Sequence, residues 1–121
     1  VQAANLSGTN LNAADLRGSV FTGSVFDDAT LAAVCADKAM LAATRMLRAN
    51  LTGATLHGAC LKQATLAHAD LTDADLTGAD LEHVDLHRAI TTRATFDGAR
   101  MDHARLTDEA RAAAEDFVPS S

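Results

Sequence analysis

From Leu6 onward, nearly every fifth residue of this chain is large and apolar, and that period restricts the fold more tightly than any other property of the sequence. The series runs through 21 positions to Leu106, of which 19 are Leu, Phe or Met, with Ala36 and Thr91 as the exceptions. Two residues before each, the chain carries Ala at 15 of the 21 positions and Thr, Ser or Val at the other six. All seven glycines, from Gly8 to Gly98, fall two residues after a member of the series. An α-helix cannot use this spacing, because a step of five advances about 500° and smears the leucines around the axis. A continuous strand fails as well, since its two-residue alternation sends successive leucines to opposite faces. A short extended segment followed by a bend succeeds. The large residue and the small one two before it then share a face, and a corner marked by glycine resets the phase. If every corner turns the same way, the chain winds into a coil with its large residues inside.

The unit stands almost unaltered in AANLSG, AADLRG, RANLTG, HADLTD and GADLEH. On these segments the chain resembles the pentapeptide-repeat family, whose motif is A(D/N)LXX, over roughly residues 2 to 108. The resemblance implies an all-β solenoid, a right-handed quadrilateral β-helix with four repeats per coil. About five coils, stacked at the usual interstrand spacing of about 4.8 Å, give a rod about 25 Å long.

A coil of four repeats sorts the core into columns. One inner face stacks Leu6, Phe26, Met46, Leu66, Leu86 and Leu106, and the next stacks Leu11, Leu31, Leu51, Leu71 and Thr91. The third holds Leu16, Ala36, Leu56, Leu76 and Phe96, and the fourth Phe21, Leu41, Leu61, Leu81 and Met101. Each large side chain fully buried contributes about 1.5–3 kcal/mol, so this ladder is the main stabilising element. Ala36 and Thr91 are its thinnest layers.

The expected organisation is a β-helix over residues 1–106, a capping α-helix over 107–118 and a tail over 119–121. Thr107 or Asp108 serves as N-cap, Asp108 and Glu109 suit the positive helix start, and Pro119 ends the Ala-rich turns. No comparable cap precedes the first repeat, and Val1 enters in mid-pattern, as in a domain of a longer chain or a rod whose first coil another chain covers. Residues 31–48 contain no Gly and have high helix propensity, so a helical excursion competes with regular coil there. Val34, Ala39, Leu41, Thr44 and Met46 keep the five-residue phase, which favours coil.

Composition narrows the function. A formal net charge of −6 offers no cationic excess with which to grip nucleic acid directly. No apolar run approaches the roughly 20 residues of a membrane-spanning helix, and no signal segment opens the chain, so cytoplasmic residence is the expectation. Cys35 and Cys60 fall on different faces of different coils and make neither a disulfide framework nor a metal motif. There is no phosphate loop, nucleophile elbow or HExxH, which argues against an enzyme and against a bound cofactor.

Two constellations remain. Glu82 and His83 precede Asp102 and His103 by 20 residues, which places two imidazoles and two carboxylates on adjacent coils, either as a candidate divalent-cation site or as solvated surface residues. Val20, Met40 and Cys60 share one outward column, with Val25 and Leu47 nearby, which suggests a contact with a protein partner or a second copy in a homodimer. Asp70, Asp75, Asp80 and Asp85 fall on four successive faces, a belt and not a stripe. Two functional readings follow: a non-enzymatic protein-binding or scaffolding module, and, as the resemblance implies, a DNA mimic that binds DNA gyrase in the manner of quinolone-resistance members. The charge fits the second reading in sign, while the short rod fits it poorly.

Overall fold

The computed structural model describes residues 3–107 and Glu115. Within it, each outward residue that follows a small inward one forms a single parallel bridge to the residue 20 positions on, from Asn5↔Val25 to Asp85↔Arg105. The extended segments are so short that no longer strand forms between corners. Their backbone groups are nevertheless paired, as where Leu51 N–H donates to Asp70 C=O at 2.8 Å and Asp70 N–H to Ala49 C=O at 3.0 Å. A solenoid with a four-sided, 20-residue coil results, as the five-residue phase requires.

Every corner is the same turn. The small residue that opens each new repeat donates its N–H to the ladder residue three positions back, as Ala54 does to Leu51 at 3.0 Å. The second corner residue has positive φ at all 21 positions from Ala3 to His103, as a type II turn demands. Glycine fills only seven of these; the other fourteen are Ala, Asp, Lys, Arg, Gln or His held near φ 60°. A non-Gly residue in this region costs about 1–2 kcal/mol, so glycine marks a corner where it occurs but the packed ladder imposes the corner elsewhere. Residues 31–48 follow the same rule, with φ of 57°, 59°, 59° and 58° at Ala33, Lys38, Ala43 and Arg48, and are regular coil.

Asn or Asp before the ladder residue has a physical reason. Its Oδ1 accepts the N–H two residues on, closing the corner as an Asx turn at Asn5, Asn10, Asp15, Asn50, Asp70, Asp75, Asp80 and Asp85.

The ladder is sealed in its middle and open toward its ends. Phe26, Leu51, Leu56, Leu61, Leu66, Leu71, Leu76, Leu81 and Leu86 are buried, whereas Leu6, Leu11, Leu16, Phe21 and Phe96 are only partly so. The two thin layers behave differently. Ala36 has a coil on each side and is buried; Thr91, in the last described rung of its column, is exposed. Thr91 borders an apolar cavity of about 330 Å³ lined by Leu86, Ala89, Phe96, Met101, Leu106 and Thr107. Leu106 departs from its expected place in the ladder, being 68% exposed. Apart from Thr107 and Glu115, the expected capping helix and tail lie outside the described residues. Among the described residues no helix is long and apolar enough to cross a membrane.

Candidate functional site

The outward apolar column is real in its geometry. Val20, Met40 and Cys60 stack through consecutive parallel bridges, and Val20 and Met40 are 39% and 43% exposed. The column turns polar at Asp80 and Arg100. Val25, half-buried on the adjacent face, is followed there by Arg45. Leu47 is set apart from these: it is half-buried at the far corner of the Arg45 face, one coil before Ala67, with its N–H held by Asp27 Oδ1 at 3.0 Å. Ile90, 49% exposed, is a further surface apolar residue, legible from its outward phase though not singled out by the sequence. Cys35 and Cys60 are free thiols in separate columns.

The acidic surface is largely engaged. The bridges place Asp70, Asp75, Asp80 and Asp85 in four different columns, and each carboxylate closes its own corner. The Asp75 carboxyl is held below the ordinary range by the Thr77 hydroxyl and backbone N–H. Other carboxylates face arginines: Asp15–Arg17 at 2.8 Å, Asp28–Arg48 at 2.8 Å and Asp73–Arg93 at 2.7 Å. The guanidinium hydrogen bonds lower all three carboxyls, Asp15 to about 2. These pairs disperse the excess negative charge over the rod.

Of the quartet Glu82, His83, Asp102 and His103, the structure brings the two imidazoles together, stacked at 4.8 Å between centroids and 12° between planes. The carboxylates turn to Arg100 instead, Glu82 at 3.4 Å and Asp102 at 3.6 Å, with Lys62 3.8 Å from Glu82. Their ligand atoms do not converge; among the described residues the converging group of this kind is His68, His87 and Glu115. His87 Nε2 lies 2.9 Å from Glu115 Oε1, and His68 Nε2 lies 3.4 Å from Oε2. The His87 ring, and then His68, hold the Glu115 carboxyl below its usual range. The sequence offered two of these three residues: histidines 19 apart in a 20-residue coil stand diagonally on adjacent coils. Glu115 had no periodic signal to place it.

The profile of the family described as pentapeptide repeats matches eight copies, over residues 4–41, 37–67 and 69–108. No curated protein matches the sequence. Among solved structures, HetL, a pentapeptide repeat protein involved in heterocyst differentiation regulation from the cyanobacterium Nostoc sp. strain PCC 7120, is 27% identical with a TM-score of 0.54. The match covers 89% of this chain but 49% of HetL, so the chain spans about half that protein's length. Rfr23 from the cyanobacterium Cyanothece 51142 is 18% identical over 87% of this chain and 89% of its own, with a TM-score of 0.48. QnrB1, a plasmid-mediated fluoroquinolone resistance protein, in a trypsin-treated form, is 15% identical over 85% of this chain and 72% of its own, with a TM-score of 0.38.

Proposed function

Because this chain belongs to the pentapeptide-repeat family, we propose that it is a non-enzymatic protein-binding module whose contact surface is the apolar column of Val20 and Met40. The rod is a right-handed helix of about five coils, and it works in the cytoplasm as a scaffold. The observation that carries this reading is the exposure of two stacked large apolar side chains on a surface whose other outward residues are mostly polar. A second copy is the simplest partner for such a column. Light scattering over a range of concentrations tests it: the wild type gains mass with concentration and Met40→Asp does not. Equal, constant masses for both overturn self-association through this column.

DNA mimicry of the substrate of DNA gyrase is the second reading, favoured by the net charge of −6. It is weaker, because mimicry needs free carboxylates in a row, and here they close corners, pair with arginines and point to four sides. Gyrase supercoiling with and without a quinolone separates the two readings. Unchanged supercoiling at large molar excess removes the mimic.

A further inference from the structure

Of the corner positions directly after a ladder residue, only Ala67 and His87 are buried among the described residues. His87 is 1% exposed, although the same position is solvent-facing or half-buried in every other described coil but that of Ala67. An imidazole carries two ring nitrogens that must find partners when removed from water. The backbone beneath the ring is fixed, with Asp85 Oδ1 accepting the His87 backbone N–H at 3.0 Å and the His87 C=O accepting the His68 backbone N–H at 2.9 Å, and the ring's own Nε2 meets Glu115.

His68 comes to the same carboxylate from the coil below, its ring 5.6 Å from that of His87 and turned 82° to it. The perpendicular arrangement lets both Nε2 atoms approach one point, which stacked rings such as His83 and His103 do not permit. All three ligand atoms lie within 4.8 Å of one another. A tetrahedral ion with bonds of about 2.0–2.1 Å needs neighbouring ligands about 3.3 Å apart. The imidazole–carboxylate separations, 2.9 Å from His87 to Oε1 and 3.4 Å from His68 to Oε2, lie near that figure, and a turn of the carboxylate is needed to offer one oxygen to both rings.

We propose that His68, His87 and Glu115 form a binding site for one divalent transition-metal ion of the zinc class. Two imidazole nitrogens and one carboxylate oxygen suit zinc and its neighbours and not calcium or magnesium, which prefer all-oxygen shells. Three protein ligands leave a fourth position for water. Arg88 Nε lies 3.8 Å from Glu115 Oε1. With the ion on Oε2, Arg88 remains paired to Oε1 as an outer partner of the ligand. The ion ties Glu115 to two successive coils at once, a crosslink that is independent of the Val20 and Met40 column.

Zinc titration of the whole chain by calorimetry and by imidazole nitrogen chemical shifts tests the site. The expected result is one ion per chain, shifts at His68 and His87 and none at His83 and His103, reversed by EDTA. Cobalt substitution gives the intense visible bands of a four-coordinate site. His68→Gln, at a half-exposed corner that leaves the buried ring in place, lowers affinity by more than the roughly 10–100-fold cost of losing an outer-shell partner. Loss of the shifts in His68→Gln with an unchanged circular dichroism spectrum supports the site. No shift at stoichiometric zinc, or the same affinity in His68→Gln, overturns it.

Discussion

The coils of residues 20–48 and of 50–88 have the same backbone made from different chemistry. In the second stretch, Asn50, Asp70, Asp75, Asp80 and Asp85 each accept the corner N–H two residues on. In the first, the corresponding outward residues are Val20, Val25, Thr30, Cys35, Met40 and Arg45, none able to accept in that way as Asn and Asp do. At two of its corners the acceptor comes from the coil below: Asn12 Oδ1 takes the Ala32 N–H at 2.9 Å, and Asp27 Oδ1 takes the Leu47 N–H at 3.0 Å. The second stretch uses the same source at one corner, where Asp37 Oδ1 takes the His57 N–H at 3.0 Å. A corner acceptor therefore need not be the corner's own Asn or Asp. The exposed Val20 and Met40 lie in the first stretch.

If the two stretches are one structure, their ladders respond alike. Leu41→Ala and Leu76→Ala, at sites 3% and 0% exposed, each lower unfolding free energy by about 2–5 kcal/mol in urea. A loss confined to one of them breaks the equivalence. The next effect is at the backbone. Gly53 has φ +67° with nothing within 4 Å of a new Cβ, so Gly53→Ala costs about 1 kcal/mol from conformation alone. Ala43→Gly, at φ 59° in the first stretch, stabilises by a smaller amount, read as a rise in melting temperature.

Asp75→Ala and Asp37→Ala compare the two sources of corner acceptor directly. Each removes about 1 kcal/mol, and a loss for Asp75→Ala alone means that the acceptor from the coil below is dispensable. The smallest effect is with pH. The carboxyl of Asp75 is depressed in the folded chain, so its contribution is present above the ordinary carboxylate range and is lost as pH falls through the folded value. The melting temperature of the wild type therefore falls below about pH 4 more steeply than that of Asp75→Asn, whose amide oxygen keeps accepting without titrating.

The five-residue phase made the coil, the columns and the belt of aspartates legible, because burial at one phase is a local property repeated 21 times from Leu6 to Leu106. It also placed Val20, Met40 and Cys60 in one column correctly. It misplaced Leu106, whose exposure depends on what stacks beyond it. It paired Glu82 and Asp102 with histidines, while side-chain reach and charge send those carboxylates to Arg100. Glycine pointed to seven corners and was silent at fourteen, where burial of the ladder on both sides forces Ala33, Lys38 or His83 into the same turn.

Spacing alone determined the solenoid: no other regular backbone buries one large residue in five on a single inside surface. The tertiary structure decided which carboxylates remain available and which histidines converge, since both depend on contacts 18 to 47 residues apart, between Arg45 and Asp27 or His68 and Glu115. A repeating sequence records what each residue does within its own repeat. What a long side chain meets on the next coil is set only when the coils stack.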